Sequence, residues 1–198
     1  LGLLLRPLTD KLNLGAGGDA HGIDREMINV DRGYSIDQCG DAPIRRIKAD
    51  VLSLPPELKR GSFAVIYAHH LVEHLHYHHV GDAIKAWADL LEPGGVMYLC
   101  VPDTLWAMVT AIGRKDLLSE RRRMPNAVKY IDWKRANGIA YNGTDHLSIW
   151  TEESLAKVVA ESGLEARIWE RQLSPSANWL AWCEATVIGI KPAGAKNV

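Results

Sequence analysis

Apolar positions along this chain come in short blocks. Five of them read as buried strands: Lys11–Leu14, Met27–Val30, Arg46–Ala49, Phe63–Tyr67 and Val96–Val101. Each is rich in Ile, Val or Leu and is bounded by Gly, Pro or Asp. Their apolar character is continuous rather than alternating, as in strands covered on both faces. Between the fourth and fifth blocks the period changes. Val80, Ala83, Ile84, Trp87, Leu90 and Leu91 recur at three and four residues, which predicts a helix over Val80–Leu91. Glu92-Pro93-Gly94-Gly95 is expected to stop it. Later, Thr151 with Glu153 and Ser154 predicts a helix start, Leu155, Val158 and Val159 its buried face, and Gly163 its end. A strand around Ala166–Trp169 and a final apolar strand in WLAWCEATVIGIKP, joined through SPSAN, are able to form a hairpin. That would make the last strand antiparallel. Strands alternating with helices predict an α/β layered domain with a mainly parallel sheet.

From Thr104 to His146 the pattern differs: a charged helical stretch, RKDLLSERRRMPNAVKY, then a polar loop. This reads as a helical insertion after the fifth strand, over the substrate side of a single domain. The cluster Arg121, Arg122, Arg123 fits a solvated helix face or, more sharply, an anionic-substrate contact. Trp106, Trp133 and Trp150 flank the insertion as core residues or as a stacking wall for an acceptor.

Composition narrows this little. At 198 residues, 47% apolar and 24% charged, the chain suits one globular domain. A net charge of −1 supplies no field to draw in bulk nucleic acid or an anionic membrane. No apolar stretch approaches the ~18 residues of a membrane-crossing helix. The start, LGLLLRPLTDK, is short and lacks a basic leader, so a signal peptide is not expected. Cys39, Cys100 and Cys183 are far apart with no CxxC pair and read as free thiols. A cytoplasmic protein is the expectation.

The chemistry gathers in KLNLGAGGDAHGIDREMINVD. Gly15, Gly17 and Gly18 follow the first strand, where a backbone can approach a ligand closely. Asp31 ends the second strand, placed to accept from both hydroxyls of a ribose. Gly15, Gly17 and Ala20 satisfy a dinucleotide fingerprint literally, but the acid should follow about 20 residues on. Asp31 lies only 11 past Ala20. That leaves no room for the well-formed helix on which a pyrophosphate sits, and it favours an adenosine cofactor without phosphates. Asp50, after the third strand, can accept from an adenine amino group while Val51 and Leu52 cover the ring.

Six pieces occur in register: LNLGAGG, INVD, ADVLSLP, FAVIYAHHLVEHL, LEPGGVMYLCVPD and DHLSIWTEESLAKVVAESGL. With them the chain resembles class I S-adenosylmethionine-dependent methyltransferases, and looks closest to the small type 11-like predicted members. The resemblance covers roughly residues 11–103 and 144–190. It implies a Rossmann-like doubly wound sheet of order 3-2-1-4-5-7-6 with an antiparallel seventh strand. It also implies S-adenosyl-L-methionine as cofactor and methyl transfer to a small-molecule or glycan-type acceptor. Carried over by position, Leu14, Gly15, Ala16, Gly17 and Gly18 would wrap the methionine part, Asp31 with Arg32 the ribose, Asp50 and Val51 the adenine. Ala68 and His69 would line the methionine side beneath the sulfonium. Many members carry an acid two residues before the first loop glycine, where this chain has Asn13. Asn13 and the abbreviated first helix motivate a rival reading, a non-catalytic cofactor-binding member. An NAD-dependent oxidoreductase is disfavoured by the loop-to-acid spacing.

AHHLVEHLHYHH holds six of the eight histidines. On a helix His70, His74 and His78 would share one face, but there is no HExxH and no cysteine joins them, so no metal is expected. Leu71, Leu75 and Val72 should pack inward. A hydroxyl acceptor needs a base, which suits histidine. His70, His146 and Asp103 are the candidates at the carboxyl side of the sheet, with Asp103 equally fit to cap the next helix.

Overall fold

The computed structural model describes residues 10–17, 25–34, 44–112, 146–169 and 184–194. Strands β1 (Lys11–Leu14), β2 (Ile28–Asp31), β3 (Arg46–Lys48), β4 (Phe63–His69), β5 (Leu91–Pro102), β6 (Glu165–Ile168) and β7 (Glu184–Ile190) form one sheet. Its order is β3-β2-β1-β4-β5-β7-β6. The first five strands run parallel, and β7 lies antiparallel between β5 and β6. This is the doubly wound arrangement that the family resemblance implied. Carboxyl ends of parallel strands share one edge, and an antiparallel strand starts there. Glu184, opposite Pro102, is thereby delivered to the same edge as the ends of β4 and β5.

Helix α1 (Tyr77–Leu90) lies against β5 and touches α3 (Glu152–Glu161), which lies on β6 and β7. The buried face of α1 is Val80, Ala83, Ile84, Trp87, Ala88 and Leu90. Thr151 and Ser154 form a reciprocal capping box at the start of α3, and Gly163, with φ of 87°, follows its end. The core runs from Leu12 and Ile66 through Met97 and Leu99 to Val187, all without solvent exposure.

Two boundaries depart from expectation. The helix begins at Tyr77 rather than Val80. The fifth strand begins at Leu91 rather than Val96: the helix does stop before Glu92-Pro93-Gly94-Gly95, as expected, but these residues lie inside β5, where Phe63 pairs with Leu91 and Val65 with Val96, so those four residues bulge out of the ladder. Only glycine fits at position 95, where a Cβ would stand 2.9 Å from the carbonyl oxygens of both Glu92 and Phe63. Lys191, just past the end of β7, fastens the bulge. It exchanges backbone bonds with Gly94 and Gly95, and its buried ammonium donates to the Leu91 carbonyl at 2.8 Å, at the end of α1.

Helix α2 (Thr104–Ala111) opens the stretch taken as an insertion, yet Trp106 and Ala107 are fully buried. Its first turns therefore belong to the core. The rest of the stretch, with Arg121, Arg122, Arg123 and Trp133, lies outside the described residues, as do Cys39, Cys183 and the SPSAN link. Cys100 is a buried thiol in β5. Among the described residues no helix is long and apolar enough to cross a membrane.

Candidate functional site

The glycine turn is built by hydrogen bonds to the neighbouring strand. Gly15 and Gly17 take φ of 65° and 66°, the left-handed region that favours glycine. The amides of Gly15 and Ala16 both donate to the Val30 carbonyl, at 2.9 and 3.2 Å. The Asp31 carboxylate then closes the turn, accepting from the Gly17 amide at 3.0 Å and the Gly33 amide at 2.7 Å. A carboxylate has about four lone-pair sites, so Asp31 retains acceptor capacity for a ligand. Leu71 covers the turn so closely that a Cβ on Gly15 would stand 2.6 Å from its Cδ1.

A cavity of about 530 Å³ opens beside this turn, at the carboxyl edge of β1, β2 and β4. Gly15, Gly17, Asp31, Arg32, Asp50 and Val51 line it, as the sequence assigned. Leu52, Leu71 and Leu75 add apolar wall. Asp50 sits in a turn in which its Oδ1 accepts from the Leu52 amide at 2.9 Å. Val51 is held from beneath: its carbonyl accepts from the buried Trp87 indole N–H at 2.9 Å. Two carboxylates flanked by apolar side chains suit a ligand that carries hydroxyls, an amino group and a flat ring, which is the outline of adenosine.

Other assigned residues stand elsewhere. Leu14 and Ala16 are buried, at 0% and 4% exposure, and serve the turn through their backbone. Gly18 is outside the described residues. Ala68 is wholly buried, paired with Leu14 and Leu99. β4 runs two residues past Tyr67, the end expected for it, so alternation puts His69 on the face of Tyr67. Their rings stack at 5.8 Å. Neither Ala68 nor His69 lines the cavity; His70 and Leu71, after the strand, do.

His70 is held between two acids. Its Nδ1 lies 2.9 Å from Glu73 Oε1 and its Nε2 lies 3.1 Å from Glu184 Oε1. Burial pulls its pKa down, but the hydrogen bonds and charges of Glu184 and Glu73 outweigh this and raise it from 6.5 to about 9. With both ring nitrogens donating to carboxylates, no lone pair is left to receive a substrate proton. The geometry argues against the general-base role considered for His70. It also explains why the backbone tolerates φ of 52°, uncommon outside glycine. Replacing His70 with Gln is expected to lower unfolding free energy by about 1–3 kcal/mol, since Glu73 is 1% exposed and loses a charged partner. Urea denaturation checks this; a turnover defect at unchanged stability would instead restore the base.

Asp103 is 2% exposed and caps α2, accepting from the Trp106 amide at 3.1 Å. It does not line the cavity. Neither do Trp106 and Trp150, core residues at 0% and 2% exposure. His146 stands edge-on to His74, ring centroids 5.0 Å apart. The chain after it is docked on the short 3-10 turn Val72–His74: the amides of Leu147 and Ser148 donate to the Glu73 carbonyl at 2.7 and 3.1 Å. Leu147 reaches the cavity, as do His74, His76 and His79. His70, His74 and His78 do not share a helical face, because α1 starts only at Tyr77 and the chain is extended at Leu75.

Three residues escaped the sequence reading. Asn29 pairs with Asn13 across β1 and β2, amide to amide at 3.0 Å. Glu73 is the only charge within LVEHL, three residues after His70, which was the available signal. Glu184 precedes the apolar ATVIGI, and nothing but the antiparallel register places it at this edge.

Comparison with known proteins agrees with this geometry. A family model for a methyltransferase domain matches residues 2–167. No curated protein matches the sequence. Among solved structures, an S-adenosylmethionine-dependent methyltransferase from Archaeoglobus fulgidus is 12% identical. It superposes with a TM-score of 0.57 over 94% of this chain and 87% of its own. One from Mesorhizobium loti is 16% identical, with a TM-score of 0.55, covering 91% of this chain and 90% of that one. The 1,6-didemethyltoxoflavin-N1-methyltransferase of Burkholderia thailandensis, solved with S-adenosylhomocysteine, is 14% identical, with a TM-score of 0.54 over 92% and 70%. These identities carry the fold, and the family match, spanning most of the chain, carries the relationship: the chain belongs to the class I S-adenosylmethionine-dependent methyltransferases.

Proposed function

We propose that this protein transfers a methyl group from S-adenosylmethionine to a small-molecule or glycan-type acceptor. The observation that carries the reading is the closed turn of Gly15, Gly17 and Asp31 beside a cavity whose far wall is Asp50 and Val51. In it Asp31 accepts from ribose hydroxyls, Asp50 from the adenine amino group, and Val51 and Leu52 cover the ring. The cofactor supplies a methyl group already activated on a sulfonium. The chain's part is then to hold the two reactants in line, which can supply much of the acceleration. No phosphate need be accommodated, consistent with the short link between loop and acid.

One observation favours a second reading, a cofactor-binding member without activity. Asn13 spends its amide on Asn29 inside the sheet and brings no charge toward the cofactor. Calorimetry with S-adenosylhomocysteine and NAD, followed by an assay for S-adenosylhomocysteine release over hydroxyl, amine and glycan acceptors, separates the cases. Binding of S-adenosylhomocysteine with release on one acceptor class is the expected result. Binding without release on any would favour the inactive member, and tight binding of NAD alone would overturn both.

A further inference from the structure

Two groups of potential metal ligands come together among the described residues. One is His69, Cys100 and Glu184; the other is Glu73, His74 and His146. The first is already engaged. Glu184 Oε1 lies 3.3 Å from His69 Nε2 and 3.1 Å from His70 Nε2, and Cys100 Sγ accepts from the Thr186 hydroxyl at 3.5 Å. The second differs in one respect. Glu73 is 1% exposed, its Oε1 is bonded to His70, and its Oε2 has no hydrogen-bond partner among the described residues. A buried carboxylate oxygen left without a donor is costly, and such a group calls for a cation.

We propose that Glu73, His74 and His146 form a binding site for a divalent transition-metal ion, Zn²⁺ being the probe of choice, at the rim of the cofactor cavity. One ligand atom from each lies within 4.8 Å of the others. Bonds of ~2.0–2.2 Å to imidazole nitrogen and carboxylate oxygen are then reached by small side-chain shifts. Two imidazoles with one carboxylate suit Zn²⁺ and its first-row neighbours, whereas Mg²⁺ and Ca²⁺ prefer oxygen alone. The hydrogen bond from His70 to Glu73 Oε1 is the outer contact that orients a ligating carboxylate.

The ion would pin the chain entering α3 to the turn that leads into α1. Backbone bonds from Leu147 and Ser148 already draw these two segments together, and His74 and Leu147 border the cavity. His146 then serves as a ligand and not as the proton acceptor the sequence suggested, because a coordinated nitrogen has no lone pair to offer. This assignment stands apart from the methyl-transfer reading, since Glu73, His74 and His146 carry no role in it.

Tag-free protein, stripped with chelator, is titrated with Zn²⁺ by calorimetry, and the visible spectrum of the Co²⁺-loaded protein is recorded. The expected result is one equivalent bound, a higher thermal midpoint with Zn²⁺, and a tetrahedral Co²⁺ spectrum. His146→Ala and His74→Ala should each weaken binding roughly tenfold or more, while His78→Ala, at the exposed start of α1, should not. Retained S-adenosylhomocysteine binding or a cooperative melt shows that each variant is folded; if one is not, the other decides. No Zn²⁺ uptake by the wild type, or uptake lost in His78→Ala and kept in His146→Ala, would overturn the site.

Discussion

Asp31→Ala is expected to weaken S-adenosylhomocysteine binding by roughly a hundredfold or more while leaving the protein folded. The carboxylate is asked to do two things. It ties the Gly17 and Gly33 amides, at 3.0 and 2.7 Å, and, on the proposed function, it offers its remaining lone pairs to the ribose. A hydrogen bond to a charged group contributes about 1.5–3 kcal/mol, so losing two on the ligand amounts to at least ~3 kcal/mol, and tenfold in affinity is 1.4 kcal/mol. The loosened turn adds to this. Folding suffers less, because Asp31 is half-buried at the end of β2 and its backbone pairing with Lys48 does not depend on the side chain. Calorimetry with Asp31→Ala and Asp31→Asn measures the effect. Asn should fall between, since its amide keeps one acceptor oxygen without the charge. Unchanged affinity in both would remove Asp31 from the cofactor site.

The sheet was legible because buried parallel strands announce themselves as continuous apolar runs, and the gathering of Gly15, Gly17, Asp31, Asp50 and Val51 around one cavity was legible because they stand at strand ends. The errors share one cause: a misjudged strand or helix end moves every neighbour. β4 extends to His69 instead of Tyr67, which exchanged His69 for His70 and Leu71 at the cavity. Gly94 and Gly95 do follow the end of the helix, but local propensity cannot foresee that Lys191, from the far end of the chain, would hold them in a bulge of the next strand. Glu184 was illegible for a similar reason: it reaches His70 across a separation that no periodicity encodes, whereas Glu73 lies only three residues from it.

Trp87 is the residue through which core packing should reach the cofactor most directly. It is fully buried in α1, where periodicity marks it as one apolar position among six, and its indole N–H donates to the Val51 carbonyl at 2.9 Å. Trp87→Ala should cost about 3–5 kcal/mol of stability through the cavity it leaves, a large share of the 5–15 kcal/mol typical of a domain. Trp87→Phe isolates the second effect. It keeps most of the apolar volume but leaves the Val51 carbonyl without its donor, at roughly 1–3 kcal/mol. Val51 is assigned to the adenine face, so loosening its loop should weaken S-adenosylhomocysteine several-fold, whereas methionine, which lacks the adenine, should gain or lose nothing. Urea denaturation and calorimetry on both variants test this. If Trp87→Phe is destabilised but binds S-adenosylhomocysteine as the parent does, the hydrogen bond serves the fold alone, and the adenine wall is held by the turn of Asp50 and not by the helix beneath it.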